Sequence, residues 1–302
     1  MEWLEALLTS GVRMTTPILL AALACLPTLW TRDINIGLEG VMIFGAFFGV
    51  ALGIATGSAL TAVLLTLVLA AAAGLCFGLL VTKLKVDVFV GGIVLFVFAG
   101  AATAYLLDIL FGVKGNLSDP GIPVLSSLEV PLFEDVPLVG GIVSGHSGLS
   151  WLAVILAVVL AVADRRTVVG VRFRAAGSHP EALSAAGVSV VKTRVIAQVW
   201  CFALAALAGI EISVGQLGLF TVGMVGGVGF VALAVVIFAR GSVGFTVLVS
   251  VCFGIATAVS FQFDKNVVPH ELTQMLPYAA ALIALVFISR RSRRPGRTLV
   301  GV

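Results

Sequence analysis

From Ser58 to Val81 the chain runs through Leu, Val, Ala, Gly, Thr and Phe without a single charge, and Val88 to Phe111 repeats the pattern with one acid near its end. A hydrocarbon layer roughly 30 Å thick is crossed by about 20 such residues in a helix, so runs of this kind constrain the fold more than any other feature. They are continuously apolar rather than alternating, which predicts helices and not the strands of a barrel. Composition agrees: 60% of the 302 residues are hydrophobic, 11% are charged and the mean hydropathy is +1.18, whereas a soluble domain carries about a quarter charged residues. The 34 glycines and low aromatic content of 8% predict helices packed closely through small residues.

The apolar runs predict an all-α polytopic membrane bundle of about nine spans, a single transmembrane domain over 1–302. They fall at Met14–Trp30, Ile36–Ala55, Ser58–Val81, Val88–Phe111, Leu149–Ala163, Val195–Gly215, Gly227–Ala239, Val243–Phe261 and Thr273–Ser289. Lys and Arg set the orientation. The loop 164–194 holds Arg165, Arg166, Arg172, Arg174, Lys192 and Arg194, and the tail 290–302 holds Arg290, Arg291, Arg293, Arg294 and Arg297; both are expected in the cytoplasm. The segment 112–147, acidic and interrupted by prolines, is expected outside with the amino terminus, Asp264 and Lys265, while Lys83, Lys85 and Arg240 are expected inside. The opening "MEWLEALLTSGVRM" lacks a basic n-region, so no removable leader is expected.

Asn35 is placed to cap a helix starting at Ile36, and Glu39 falls in its first turns, near the positive end of the helix dipole. Gly45, Gly49, Gly53 and Gly57 then recur every four residues, a stripe where a neighbouring backbone can approach. The helix should therefore be central, with Glu39 facing protein. Its carboxylate either satisfies nearby backbone groups, pairs with Arg32, or lines a solute path, since intramembrane acids are costly to keep. Arg32 and Asp33 can neutralise each other, and Asp108 and Glu211, near span ends, read as interfacial. "NIGLEGVMIFGAFFGVALG" and "GGVGFVALAVVIFARGSVG" hint at two related halves.

Inside the basic loop, Ser178 and Glu181 form an S-x-x-E capping box, Pro180 suits a first helical turn and Gly187 a stop. The helix between them, about eight residues or roughly 12 Å, is too short to span. It suits either an interfacial helix on anionic lipid or a docking peg for a soluble partner.

Catalytic and metal signatures are missing. No G-x-x-x-x-G-K-[ST], H-E-x-x-H or G-x-S-x-G occurs, so no phosphate-cradling loop is present and an enzyme is not expected. His146, His179 and His270 lie far apart, Ser147 beside His146 lacks an evident third partner, and Cys25, Cys76, Cys201 and Cys252 read as buried apolar residues. The arginine tail sets topology, with no nucleic acid expected.

"TPILLAALACLPTLWTRDINIGLEGVMIFGAF", "GSHPEALSAAGVSVVKTRVIAQVWCFALAALAG" and "GVGFVALAVVIFARGSVGFTVLVSVCFG" together resemble, in order, the permease subunits of ATP-binding-cassette importers of the branched-chain amino acid and ribose group. The N-I-G-L-E-G core is similar to the nucleoside and simple-sugar branch. The resemblance implies a type II importer permease in a bacterial or archaeal plasma membrane. It also implies a second permease subunit, identical or paralogous, a cytoplasmic ATPase that binds ATP-Mg, and an extracytoplasmic solute-binding protein. No cofactor is expected on this chain. The ATPase-coupling helix would comprise Ser178, His179, Pro180, Glu181, Ala182, Ala185, Ala186 and Gly187. Asn35, Gly37, Glu39, Gly40, Gly229 and Phe230 would border the solute path. The alternatives are a branched-chain amino acid as solute, or a stand-alone proton-coupled transporter using Glu39, Asp108 or Glu211.

Overall fold

The computed structural model describes residues 2–128 and 145–262. The expected ninth span Thr273–Ser289, the arginine tail, Asp264, Lys265 and His270 lie outside the described residues. Within them the helices are α1 (Glu2–Trp30), α2 (Leu38–Thr56), α3 (Ala59–Lys83), α4 (Val88–Phe111), α5 (Gly148–Arg166), α6 (Val168–Ser178), α7 (Pro180–Ala185), α8 (Val190–Ile210), α9 (Val228–Phe238) and α10 (Val243–Gln262). A π-helical segment, Glu211–Leu217, continues α8. Seven of these helices are long and apolar enough to cross a membrane, α8 together with its π segment counting as one. The expected span at Gly227–Ala239 is instead the 11-residue α9, about 16 Å long at 1.5 Å per residue and able to reach only partway.

Two short antiparallel pairings close the end of the bundle opposite the basic turns. They join β1 (Asn116–Leu117) to β4 (Phe220–Thr221), and β2 (Ser127–Leu128) to β3 (His146–Ser147). Arg32, Lys83, Lys85, Arg165, Arg166 and Arg240 all fall in turns or helix ends at the other, basic end.

α1, α2 and α8 form the buried centre, and α3, α4 and α5 present apolar outer faces such as Leu64, Val68, Val97 and Ile155. In a membrane those faces meet lipid, where no backbone group needs to be exposed. Central packing rests on missing side chains. A Cβ at Gly45 would strike the Ala206 backbone and one at Gly209 the Met42 carbonyl, so α2 and α8 touch main chain to main chain. Gly49 abuts Ile210 and Val214, and Gly53 abuts Pro123. Gly57 does not belong to the stripe: at φ +66° it is the left-handed C-cap of α2, with no neighbour near a Cβ.

Other expectations are corrected. α2 starts at Leu38 with Gly37 as N-cap, and Asn35 closes a turn by accepting the Gly37 N–H at 2.8 Å. That Asx turn satisfies the side chain two residues before the N-cap, so no cap is needed from it. Asp33 pairs with Arg194 rather than Arg32, at 3.3 Å but without hydrogen-bond alignment. Arg32 is exposed in a left-handed turn at φ +61°. Asp108 is exposed in the last turn of α4, 3.7 Å from Lys114. Glu211 is not: it is 1% exposed. Cys25 and Cys201 are buried, but Cys76 and Cys252 are exposed on outer helix faces.

Candidate functional site

The first turn of α2 meets the first turn of α9 inside the bundle. Glu39 is 3% exposed, and its Oε1 accepts the Gly227 N–H at 2.8 Å while Oε2 accepts the Gly229 N–H at 2.7 Å. Helices leave their first N–H groups unpaired, and here a carboxylate from a neighbouring helix takes two of them. Glu39 also stands in the first turn of its own helix. One negative charge thus lies between two positive helix ends, the arrangement in which helix dipoles favour an anion most. The backbone fits tightly around it: Gly227 has φ +87°, and a Cβ at Gly229 would stand 2.7 Å from Oε2.

A polar layer runs from this junction toward the basic end. Asn35 Nδ2 donates to Gln198 Oε1 at 3.2 Å, and Gln198 Nε2 donates to the Asp33 carbonyl at 3.0 Å. Four residues earlier on α8, Arg194 meets the Asp33 carboxylate and donates through Nη2 to the Ala176 carbonyl of α6 at 3.2 Å. Burial holds the Asp33 carboxyl above the usual carboxylate range, opposed by the Arg194 charge and the Thr31 hydroxyl.

α6 is seated on the end of α1. A Cβ at Gly177 would overlap the Trp30 carbonyl, the Trp30 and Phe173 rings lie 6.5 Å apart, and Trp30 Nε1 donates to the Gly241 carbonyl at 2.9 Å. Trp30 therefore joins α1, α6 and the α9–α10 turn. Beyond α6, the six-residue α7 has Pro180 at its first position and ends in a Schellman closure: Gly187 N–H donates to Ser184 O at 2.9 Å and Val188 N–H to Leu183 O at 3.2 Å. Gly187 carries the required positive φ, +78°.

The expected capping box does not form. Ser178 is the last residue of α6 and its hydroxyl donates to Arg174 O at 2.9 Å, leaving His179 as an N-cap without a side-chain bond. A preceding helix that runs to Ser178 holds that side chain in its own ladder, which the S-x-x-E spacing alone does not register. Only Leu183 of α7 is buried; Glu181, Ala182, Ala185, Ala186 and Gly187 are exposed.

Of the residues expected along a path, Asn35, Gly37, Glu39, Gly40 and Gly229 are buried together where α2, α4, α8 and α9 meet. Gly37 lies against Gly92, and Gly40 against the Leu95–Phe96 backbone, each closer than a side chain permits. Phe230 is exposed and rests edge-on against Phe96, ring centres 5.5 Å apart. Gln198 and Arg194 went unpredicted, although a Gln within the apolar run of α8 was the available signal. Among the described residues no group of three or more His, Cys, Asp or Glu side chains could hold a metal.

The family model described as "Branched-chain amino acid transport system / permease component" aligns with residues 7–285. The chain belongs to this permease family. The permease is 25% identical over 305 residues to the nucleoside ABC transporter permease protein NupC of Lactococcus lactis, covering 97% of this chain and 95% of that one. It is 29% identical over 292 residues to the guanosine ABC transporter permease protein NupQ of Bacillus subtilis, covering 91% and 89%. It is 26% identical over 290 residues to the putative glucose ABC transporter permease protein TsgC13 of Haloferax volcanii, covering 95% and 85%. No solved structure matches the chain significantly. The permease is thus a multi-pass membrane transport subunit.

Proposed function

We propose that the permease is half of the membrane pathway of an ATP-driven importer for nucleosides, with its basic end and carboxyl terminus in the cytoplasm. The observation that carries this reading is the chain of polar contacts from the exposed α7 to the turn that opens α2, two residues before Glu39. α7 follows directly on α6, α6 holds Arg194 and Trp30, and Arg194 leads through Asp33, Gln198 and Asn35 to the turn that opens α2.

A second permease subunit completes the pathway, and cytoplasmic ATPases grip the exposed residues of α7 and its closing turn, Glu181, Ala182, Ala185, Ala186 and Gly187. ATP-Mg binds those ATPases, and a delivery protein releases solute at the outer face. Closure of the ATPases moves α6–α7 as a rigid body, and the Trp30 and Arg194 contacts pass that movement to α2 and α9. The junction at Glu39 then works as the closed gate: Asn35, Gly37, Gly40 and Gly229 come to border a path only when the two helix starts part. A nucleoside fits such a path because it is polar but uncharged, and the names of the Lactococcus and Bacillus relatives favour it over an amino acid. A simple sugar is the second reading, favoured by the glucose permease relative.

The test is uptake of labelled guanosine in cells carrying the full operon, competed with unlabelled solutes. Inhibition by nucleosides, with none by glucose or leucine, supports the reading. Inhibition by leucine alone overturns it.

A further inference from the structure

Away from Glu39, at the end of the bundle opposite the basic turns, the π-helical segment after α8 borders a cavity of about 200 Å³. Its polar walls come from three places: Arg13 of α1, His146, Ser147 and Ser150 around the start of α5, and Glu211 and Gln216 of the π segment. Glu211 is 1% exposed. Its Oε2 accepts from Ser147 Oγ at 2.7 Å and its Oε1 from Gln216 Nε2 at 3.3 Å. Gln216 also donates to the Arg13 carbonyl at 2.9 Å, and the Thr16 hydroxyl donates to Ser150 at 3.0 Å, so both walls are tied back to α1.

This is a built site. The helix turns from α to π at the acid itself, a rare conformation frequent at functional sites. A Cβ at Gly215 would collide with the Glu211 carboxylate, so glycine keeps that group in place beside the space. Burying an acid inside a membrane protein is costly, and the bundle gains no interhelical ion pair at hydrogen-bond distance from it among the described residues.

The walls select a ligand class. Glu211 and Arg13 set opposite charges on one cavity, so a lone anion or a lone cation is disfavoured, and of the uncharged and zwitterionic solutes that remain the function proposed above selects the uncharged one. A carboxylate offers about four acceptor positions, and Ser147 and Gln216 take two. Two O–H donors on adjacent carbons match the remaining pair. The cavity equals about seven waters at about 30 Å³ each, the size of one sugar ring rather than a whole nucleoside. We propose that this cavity is an outer subsite for a vicinal-diol sugar ring, whose hydroxyls donate to Glu211 and accept from Arg13. The pentose of a nucleoside is then held here as it enters; this identity of the solute rests on the function proposed above.

The experiment is solute protection of an introduced thiol. In the intact transporter with its four native cysteines replaced, Ser147→Cys is labelled from outside with a membrane-impermeant thiosulfonate, with D-ribose, guanosine or 2′-deoxyguanosine present. Ribose and guanosine are expected to slow labelling and 2′-deoxyguanosine, which lacks the vicinal diol, to leave it nearly unchanged. Adding Glu211→Gln is expected to raise the half-protecting ribose concentration about tenfold. Gln216→Cys, on the facing wall, reports the same behaviour if Ser147→Cys fails to assemble. Labelling equally fast with and without ribose overturns the subsite, even where guanosine uptake proceeds. Protection by ribose in a transporter that takes up no nucleoside retains the subsite and overturns the nucleoside assignment instead.

Discussion

Gly229 is fixed twice over by Glu39: its N–H donates to Oε2 at 2.7 Å, and the side chain it lacks would occupy the space that oxygen fills. Donor and vacancy are one requirement, because a helix start can approach a carboxylate this closely only through a bare backbone. The backbone of Glu39 is equally near, 2.8 Å from a Cβ at position 229, so the clash cannot be relieved by a rotamer change.

Gly229→Ala should therefore destabilise the permease by about 1–3 kcal/mol, the range for overpacked interiors. Thermal unfolding in detergent measures it. An unchanged melting temperature would show that α9 moves away from α2 freely.

Glu39→Gln keeps shape but turns one acceptor into an N–H₂ group facing a backbone donor. A buried donor left unmatched costs about 1–3 kcal/mol, and the charge between two helix ends is lost as well. Lower melting temperature and reduced uptake from an assembled transporter are expected. Unchanged uptake would show that the charge serves neither the fold nor the gate.

Not all glycines of α2 should behave alike. Gly57→Asn is expected to change stability by only a few tenths of a kcal/mol, since Asn tolerates the left-handed C-cap. Gly45→Val, whose side chain would enter the Ala206 backbone, is expected to prevent assembly. Yield and thermal unfolding of the two variants compare them directly.

Asp33 predicts a pH dependence. Its carboxyl holds a proton more tightly in the folded protein than in the unfolded chain, chiefly through burial. The folded state thus binds more protons in the window that opens near the ordinary value of about 4, and stability falls as pH rises through that window to the raised value. Arg194→Gln removes the opposing charge, so the fall should extend to higher pH and deepen. Melting temperature against pH for both proteins tests the sign; stability that rises with pH in Arg194→Gln contradicts it.

The membrane class, most span positions and the central place of α2 were legible because apolar length and glycine spacing are local properties of the sequence. Val88–Phe111 was placed to the residue. What escaped depends on contacts distant in sequence. Asn35 and Glu39 were recognised as the polar start of a helix, but their partners Gln198, Gly227 and Gly229 lie more than 160 positions away. Glu211 read as interfacial because a π segment carries α8 onward past it, and Ser147 lacked its third partner until that segment brought the acid to 2.7 Å. Ser178 misled because the spacing of a capping box does not say whether another helix already holds the serine.

The coupling route makes a prediction of its own. Pro180→Gly with Glu181→Ala loosens the start of α7 and should abolish uptake while the permease remains in the membrane. Trp30→Phe, which keeps the ring beside Phe173 but loses the bond to Gly241, should cost only about 1 kcal/mol and leave partial uptake. Normal transport by the double variant contradicts a coupling role for α7.

The central claim is tested most directly by guanosine uptake into proteoliposomes containing the permease, its partner ATPases and the delivery protein. Uptake is expected to require ATP on the ATPase side, to require the delivery protein, and to be indifferent to a pH gradient. Guanosine accumulation by this chain alone, driven by a pH gradient without ATP, would contradict it.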